Sequence, residues 1–359
     1  MKSLATFAFS AFSDRAFSSV GWFLLAGVVV DALAGNDVIV GEGADTGILN
    51  AGDLYSGDGS DSILGNGYFS GLVNRGTIET GGGSDHIEGS STDFEGIINS
   101  GLIHTGAGAD ALYGRADDAG AGSITNSGII NTGVGDDVVD GNGIDNSGTI
   151  FTGPGDDEVT GWPFEGFYGI VNLRRIAMYT GNDRIIGSGL YSGILNLDGG
   201  AISLGDGNDA ILAGSQWESS DGVSITNQGF IDTGSGHDLI RTSIYGDSGE
   251  GMIDNSGSLV TGDGADTVDA LWGGFAGDGL TDLGSGNDTI LGFGAGHFRG
   301  GTGVDTLVFT PGRYAIRRLG AGEFMIGGLM NVSGFEAFGD GATQPSFAAA
   351  ASNGFVTFT

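Results

Sequence analysis

The sequence predicts an all-β protein, a parallel β-solenoid (β-helix or β-roll) of about twelve coils that ends in a C-terminal β cap. Three observations lead to this fold. A glycine-rich turn that ends in aspartate recurs about every 25 residues, an asparagine motif recurs in step with it, and apolar strand-forming residues alternate between the two. One such unit cannot bury its apolar side alone, so successive units must stack as coils.

The composition excludes the common alternatives. The 359 residues include 75 glycines and only 4 prolines, a glycine load that disfavours ordinary helical or sandwich cores. Collagen is excluded because the glycines follow no three-residue period. The 39% of apolar residues, many of them β-branched, argue for a buried interior and against disorder.

The charge limits the partners. With 45 acidic and 12 basic residues, the formal charge is −33, which would repel nucleic acid and anionic membranes and favours a cation as partner. No cysteine is present, so neither disulfides nor thiolate metal sites can hold the fold. No apolar stretch reaches the length of about 18 residues that a membrane span requires.

The turn follows the pattern small-Gly-x-Gly-x-Asp, with an apolar residue two positions further on, as in TGAGADAL. Two copies, LAGNDVI and YTGNDRI, lack the first glycine. The aspartates that end the turns are the candidate metal ligands: Asp37, Asp61, Asp85, Asp110, Asp137, Asp157, Asp183, Asp209, Asp238, Asp266, Asp288 and Asp305.

The second motif lies between these turns, as in GILNAGDL and GIINSGLI. It contributes Asn50, Asn74, Asn99, Asn126, Asn146, Asn172, Asn196, Asn227 and Asn255. Each unit is therefore interpreted as a turn, a short strand, a connector and a second short strand. Asparagine bonds backbone groups readily, so a stacked asparagine column is predicted to link one coil to the next.

The aspartate turn predicts calcium. Glycines with φ > 0 would curl carbonyl oxygens toward a common point, and the aspartate adds an anionic oxygen. Calcium accepts six to eight such oxygens, magnesium demands tighter geometry, and zinc or copper would need histidine or cysteine clusters. A single turn of this kind is explained by aspartate bonding its own backbone. Twelve stacked carboxylates about 4.8 Å apart would repel one another without cations, so about eleven calcium ions between coils are expected.

At these residues the chain resembles the RTX (hemolysin-type) family of calcium-binding repeat proteins, as a divergent variant with long repeats. The resemblance implies calcium bound between coils, type I secretion from a bacterium, and folding triggered by calcium outside the cell. The chain departs from the family because most turns begin Thr-Gly and the period is about 25 residues where the family has 18 per coil. The imperfect turns make the sites at Asp37 and Asp183 the weakest.

Four segments are predicted. Residues 1–34 form an N-terminal hydrophobic cap or an export segment, residues 35–307 the calcium-binding solenoid, residues 308–341 a C-terminal β cap, and residues 342–359 a tail that resembles a type I secretion signal. The expected location is extracellular or on the bacterial cell surface. A surface, matrix or adhesive role adds cell-surface or matrix polysaccharide to the expected partners, and the oligomeric state stays open.

Two alternative functions remain. The first is a calcium-dependent polysaccharide lyase or epimerase on a β-helix. A non-enzymatic role is preferred over this alternative. The parts of such an enzyme would be Arg174, Arg175, Arg184, Tyr168, Tyr179 and the histidines His86, His104, His237 and His297. The second is ice binding through flat rows of Thr and Asx, which the variable outward turn positions argue against.

Overall fold

The computed structural model describes residues 1–117, 123–162, 167–215, 222–242, 251–339, 350, 352 and 354–358. Their regular secondary structure consists of short strands, with one 3-10 turn at Leu4–Thr6. The chain divides into two compact units, Met1–Thr180 and Gly181–Thr359, and each is a parallel β-solenoid. The predicted fold class is therefore confirmed.

Each coil contributes one strand to each of three parallel sheets. We call them the aspartate sheet, whose strands follow the turn aspartate, the asparagine sheet, whose strands end at the motif asparagine, and the glycine sheet, whose strands lead into the next turn. The sequence predicted only two strands per coil. The stretch GILNAGDL is two strands, Thr46–Asn50 and Asp53–Tyr55, with a corner after Asn50.

In the first unit the three sheets have regular membership. The aspartate sheet comprises Arg15–Ser18, Val38–Glu42, Ser62–Gly67, His86–Ser91, Ala111–Ala116, Val138–Gly141 and Glu158–Gly161. The asparagine sheet comprises Lys2–Ser3, Trp22–Leu24, Thr46–Asn50, Ser70–Asn74, Ile97–Asn99, Ile124–Asn126, Ile144–Asn146 and Tyr168–Asn172. The glycine sheet comprises Val29–Asp31, Asp53–Tyr55, Thr77–Gly82, Leu102–Ala107, Ile129–Val134, Thr149–Phe151 and Arg175–Thr180.

The second unit repeats this plan with shorter strands toward its end. Its aspartate sheet comprises Arg184–Gly189, Ala210–Ser215, Leu239–Thr242, Thr267–Asp269, Thr289–Leu291, Thr306–Val308 and Ala337–Gly339. Its asparagine sheet comprises Ser192–Asn196, Val223–Asn227, Met252–Asn255 and Phe275–Ala276. Its glycine sheet comprises Ala201–Asp206, Phe230–Gly236, Ser258–Val260, Asp263–Gly264, Leu280–Asp282, Ser285–Gly286, Gly296–Arg299 and Thr302–Gly303.

The core is a set of columns in which one aliphatic side chain from each coil stacks on the same position of the next. In the aspartate sheet, Ile39, Ile63 and Ile87 pair in register and are fully buried. In the glycine sheet, Leu54, Ile78 and Ile103 do the same. Because strands show alternate residues to opposite faces, this regular burial fixes the register of every coil.

The two ends of the chain are built from strands as well. The segment predicted as an N-terminal cap pairs in parallel with the first repeat, through Arg15–Ser18, Trp22–Leu24 and Val29–Asp31. It therefore covers that repeat as a further coil. No helix among the described residues is long and apolar enough to cross a membrane.

The segment predicted as a C-terminal cap contains an antiparallel ribbon. Gly312–Gly320 pairs with Glu323–Ile326, which pairs with Met330–Ser333, and the last strand adds in parallel to Gly296–Arg299. Phe355–Phe358, within the predicted tail, pairs antiparallel with Gly312–Gly320. Most of the rest of that tail lies outside the described residues.

Candidate metal centre

The aspartate turn owes its shape to its glycines, which occupy positions two and four. Gly81 and Gly83 have φ of +101° and +131°, a region that other residues rarely adopt. A Cβ atom on Gly81 would lie 2.1 Å from the carbonyl oxygen of Gly57 in the preceding coil. Glycine is therefore required both by conformation and by the close stacking of the turns.

The turn carbonyls of Gly57 and Gly82 are engaged in hydrogen bonds between adjacent coils. The Gly57 carbonyl oxygen is directed along the stack and accepts the amide of Gly82 at 3.3 Å. The carbonyl oxygen of Gly82 likewise accepts the amide of Gly59 at 2.7 Å. These groups continue the parallel ladder through the turn, and the predicted convergence of the turn carbonyls on a metal ion stays a prediction. Each carbonyl oxygen still has a second lone pair.

The two imperfect turns keep the same backbone. Leu33 and Tyr179 stand where the other turns have their first glycine, and their φ angles are +76° and +82°. They are the non-glycine residues with positive φ among the described residues. The stacking of the turn thus imposes the left-handed conformation even where the sequence lacks glycine, and the predicted weakness of calcium binding at Asp37 and Asp183 stays a prediction.

The turn aspartates are buried beneath the turn. All twelve are at most 2% exposed. Within each unit the amide of a turn aspartate donates to Oδ1 of the corresponding aspartate one coil later, as from Asp61 to Asp85 at 2.8 Å. We call this arrangement the aspartate ladder. Bonds of 2.7 to 2.9 Å link Asp37 to Asp61, Asp85 to Asp110, Asp110 to Asp137, Asp137 to Asp157, Asp183 to Asp209, Asp209 to Asp238, Asp238 to Asp266, Asp266 to Asp288 and Asp288 to Asp305.

The ladder extends one residue beyond the predicted set at each end. The amide of Asp14 donates to Oδ1 of Asp37 at 2.7 Å, and the amide of Asp305 donates to Oε2 of Glu336 at 2.8 Å. Sequence reasoning missed Asp14 and Glu336 because neither follows a Gly-x-Gly turn. An available signal for the first of them was the acidic residue placed two positions before the buried Ala16.

The second carboxylate oxygen is different. In the described structure Oδ2 is buried and has no hydrogen-bond partner in Asp37, Asp61, Asp85, Asp110, Asp137, Asp238, Asp266, Asp288 and Asp305. Burial raises the pKa of Asp110, and the Asp85 amide and the hydroxyl of Thr105 in the same turn partly offset that rise. That hydroxyl donates its proton to the Thr132 carbonyl at 2.7 Å. A buried carboxylate oxygen without a hydrogen-bond partner destabilises the folded chain unless it is protonated or binds a cation.

Burial dominates the electrostatics of the ladder. Removal from water raises the pKa of Asp137 and Asp288 to about 7, against an ordinary value of 3.8. The neighbouring aspartates of the ladder raise both values further, while the amide bond to Oδ1 lowers them. The same burial raises the pKa of Asp85, Asp157 and Asp266 to about 6, and it raises the pKa of Asp37, Asp61, Asp110, Asp238 and Asp305.

The donor set suits a hard cation. Among the described residues, no group of three or more histidine, cysteine, aspartate or glutamate side chains gathers around one point. A metal ion at the ladder would therefore bind the free oxygen of an aspartate together with backbone or hydroxyl oxygens. Calcium takes such mixed oxygen sets and tolerates irregular geometry, whereas zinc and copper do not. The residues present fit calcium in this sense.

The asparagine column links the coils at the opposite corner. Nδ2 of Asn74 donates to Oδ1 of Asn99 at 2.8 Å and to the carbonyl oxygen of Leu102 at 2.9 Å. The same bond between side chains joins Asn50 to Asn74, Asn99 to Asn126, Asn126 to Asn146, Asn146 to Asn172, Asn196 to Asn227 and Asn227 to Asn255. The predicted structural role of this motif is confirmed.

The residues considered for catalysis are spread over the molecule. Arg175 places its guanidinium 5.3 Å from the centre of the Phe151 ring, and Tyr179 lies 6.0 Å from the same ring. Arg174 is exposed at the corner between the asparagine and glycine sheets. Tyr168 begins an asparagine-sheet strand, and Arg184 begins the first aspartate-sheet strand of the second unit.

The histidines also lie apart. His86 contacts Glu88 at 3.2 Å, and Nδ1 of His104 lies 3.2 Å from the carbonyl oxygen of Asn131. Nδ1 of His237 accepts the amide of Ala265 at 2.8 Å in the exposed part of a turn. His297 lines a pocket of about 430 Å³ beside the C-terminal ribbon. The structure brings Tyr179 and His104 to one groove of the first unit, which is considered below.

The fold and the ladder define a parallel β-solenoid repeat protein with a buried column of carboxylates. No family model matches the sequence, and no curated protein matches it. A solved structure similar to it is a hyperactive, Ca²⁺-dependent, β-helical antifreeze protein from an Antarctic bacterium. The identity is 19%, the alignment covers 85% of this chain and 89% of that chain, and the TM-score is 0.49.

Proposed function

We propose that this chain is a calcium-binding structural repeat protein in which metal binding and folding are coupled. The observation that carries the proposal is the buried Oδ2 atom that recurs without a hydrogen-bond partner along the aspartate ladder. One such atom could belong to a protonated carboxyl. A column of them, each next to another carboxyl in the adjoining coil, favours a row of cations.

The ladder residues would hold about eleven ions, as the twelve turns predicted. Calcium supplies two positive charges and a preference for several oxygen ligands. The chain supplies Oδ2 of each turn aspartate, while Oδ1 stays on the amide of the preceding coil and fixes the carboxyl group in place. The amide of Asp14 fixes the carboxyl group of Asp37 in this way, and the carboxylate of Glu336 accepts the amide of Asp305.

Coupling to folding follows from the burial of these carboxyl groups. In the unfolded chain they are solvated and apart, and in the folded chain they are stacked and buried. Ions that bind only the folded form shift the equilibrium toward it, by about 1.4 kcal/mol per site at a free calcium concentration of ten times Kd. Several sites together would decide whether the solenoid folds.

The proposed setting is outside the cell. The affinity range of extracellular calcium modules, about 10⁻⁴ to 10⁻³ M, lets a chain remain unfolded at low calcium and fold after export. The resemblance of the turns to RTX repeats supports secretion by a bacterium through a type I route. A non-catalytic surface, matrix or adhesive role, with polysaccharide as a partner, agrees with this setting.

A calcium titration followed by circular dichroism and thermal unfolding tests the proposal. We expect β-structure and unfolding temperature to rise together as calcium replaces a chelator, and metal analysis after gel filtration to give several ions per chain. Sodium chloride at matched ionic strength controls for screening, and magnesium controls for divalent charge. Complete β-structure and an unchanged unfolding temperature in chelator would refute the coupling.

A further inference from the structure

A groove runs along the stacking direction on the outer face of the first unit. Its floor is the column of first turn glycines, Gly81, Gly106, Gly133 and Gly153, and its volume is about 710 Å³. One wall carries His104, Asn131 and Phe151, and the other carries Ala107, Val134 and Pro154. At about 4.8 Å per coil, the floor is roughly 14 Å long.

The groove ends at Tyr179, which takes the place of the next floor glycine. Tyr179 has φ of +82°, a conformation that costs a non-glycine residue free energy, and its side chain is 48% exposed. Burial therefore offsets little of this cost. A strained residue that keeps an exposed aromatic ring at the end of a groove is a candidate for function.

The electrostatics of the groove differ from those of the chain as a whole. The chain has 45 acidic residues, yet none of the described residues that line the groove is charged. The floor is flat and apolar, since glycine leaves only Cα–H groups at the surface. At the Tyr179 end, the rings of Phe151 and Tyr179 lie 6.0 Å apart at 46°.

The polar groups of the groove lie on one wall. The Asn131 carbonyl only accepts, so Nδ1 of His104, 3.2 Å away, carries the proton and Nε2 of the neutral ring is an acceptor. The carboxamide of Asn131 offers both a donor and an acceptor. Floor amides are engaged between coils, as Gly133 is with the carbonyl oxygen of Thr152 at 3.0 Å. An extended peptide would find no open strand edge here.

We propose that this groove binds a neutral saccharide chain, with one sugar ring packed on Tyr179 and Phe151. A pyranose has an apolar C–H face that fits the glycine floor and the aromatic rings, and hydroxyls at its rim that fit His104 and Asn131. None of the described residues that line the groove is charged, which favours a neutral chain over a uronic acid polymer. This site deepens the polysaccharide-binding role proposed above, on which it rests, and it requires only that the solenoid is folded.

The substitution Tyr179→Gly gives a sharp test because glycine suits the backbone of that position. Leu33→Gly is the matched control, since Leu33 is the other strained residue at this turn position and lies outside the groove. Isothermal titration of the full chain in calcium would use cellohexaose, xylohexaose and mannohexaose as neutral probes. An alginate hexamer and a valine-rich peptide serve as competing occupants.

We expect at least one neutral hexasaccharide to bind, at least tenfold weaker binding by Tyr179→Gly, and unchanged binding by Leu33→Gly. Phe151→Thr changes an outward position of a strand and should also weaken binding. This second variant tests the proposal if Tyr179→Gly fails to fold. The proposal is overturned if no neutral probe binds at millimolar concentration, if Tyr179→Gly binds as tightly as the parent, or if only alginate or the peptide binds. Unchanged calcium-dependent unfolding of the variants separates this outcome from a failure of the calcium proposal.

Discussion

The main-chain amide of Asp85 donates a hydrogen bond of 2.8 Å to Oδ1 of Asp110, a residue of the next coil. The carboxyl group of Asp110 therefore has two separate roles. Oδ1 satisfies a buried amide, and Oδ2 is left for a proton or a cation. Substitutions that keep one role and remove the other can separate them.

The first prediction compares Asp110→Asn with Asp110→Ala. Asparagine keeps an oxygen for the Asp85 amide and removes the buried charge, so in chelator at pH 8 this variant should unfold at a higher temperature than the parent. Alanine leaves the amide unpaired and should cost about 1–3 kcal/mol. Both variants should gain less stability from calcium than the parent, as measured by thermal unfolding.

Asp58→Asn is the control for that pair, because Asp58 is an exposed acidic residue of a turn. This substitution should leave the calcium-dependent rise in unfolding temperature unchanged. An equal loss of the gain in Asp58→Asn would show that general charge, and not the ladder, governs the response.

The second prediction concerns pH in the absence of calcium. Burial raises the pKa of Asp137 and Asp288 from 3.8 to about 7, so the folded chain binds more protons than the unfolded chain between these values. The stabilising contribution is fully present below pH 3.8 and is lost as the pH rises through about 7. In chelator, the urea midpoint should therefore be higher at pH 5 than at pH 8.

Calcium should reverse this trend, because only the deprotonated carboxyl binds the ion. The rise in the urea midpoint on adding calcium should be larger at pH 8 than at pH 5. A midpoint in chelator that rises from pH 5 to pH 8 would contradict the buried, unpaired state of the ladder.

The third prediction tests the close approach of the turns. Gly106 has φ of +112°, and a Cβ atom there would lie 1.9 Å from the carbonyl oxygen of Gly81. Gly199 also has positive φ, +81°, but has no atom within 4 Å of its Cβ position. Gly199→Ala should cost about 1–2 kcal/mol for conformation alone. Gly106→Ala should cost at least about 2 kcal/mol more, since the coils must also separate.

Equal costs of the two alanine substitutions, measured by urea unfolding in calcium, would mean that the turns can move apart freely. The stacking distance would then not depend on glycine.

The fourth prediction addresses the asparagine column. In Asn99→Ala, the side chain of Asn74 loses an acceptor at 2.8 Å and the side chain of Asn126 loses a donor at 2.8 Å. The free energy of unfolding should fall by about 1–3 kcal/mol for each buried group left unpaired. Thr125→Ala, at a half-exposed position of the neighbouring strand, should change it by less than about 0.5 kcal/mol. Because no carboxylate is altered, the calcium-dependent gain should persist in Asn99→Ala.

The sequence allowed the fold, the period and the structural role of the asparagines to be predicted, because each is repeated in every coil. The third strand was missed for a specific reason. Ile48, Asn50, Gly52 and Leu54 are all buried, so the alternation of inward residues continues unbroken around the corner after Asn50. A period of two cannot reveal a bend that preserves it.

The arrangement of the site was harder to predict. The sequence placed the aspartates on one edge, but the direction of the turn carbonyls depends on how adjacent turns stack. Asp14 and Glu336 escaped notice because the ladder needs only an amide at its first position and a carboxyl group at its last, and neither requires the glycine turn itself. Their role follows from hydrogen bonds between coils, which no local motif encodes.

The ladder bond is indifferent to the length of chain between its partners. Asp137 and Asp157 are 20 residues apart, Asp209 and Asp238 are 29 residues apart, and the bonds are 2.8 and 2.9 Å. Each internal coil gives one amide to the next and receives one from the coil before, so its upper and lower faces carry the same chemistry everywhere. A gene duplication that inserts one whole coil would create no mismatched junction, and the chain could grow or shrink in single-coil steps while only the carboxylate that accepts the last amide needs to be kept.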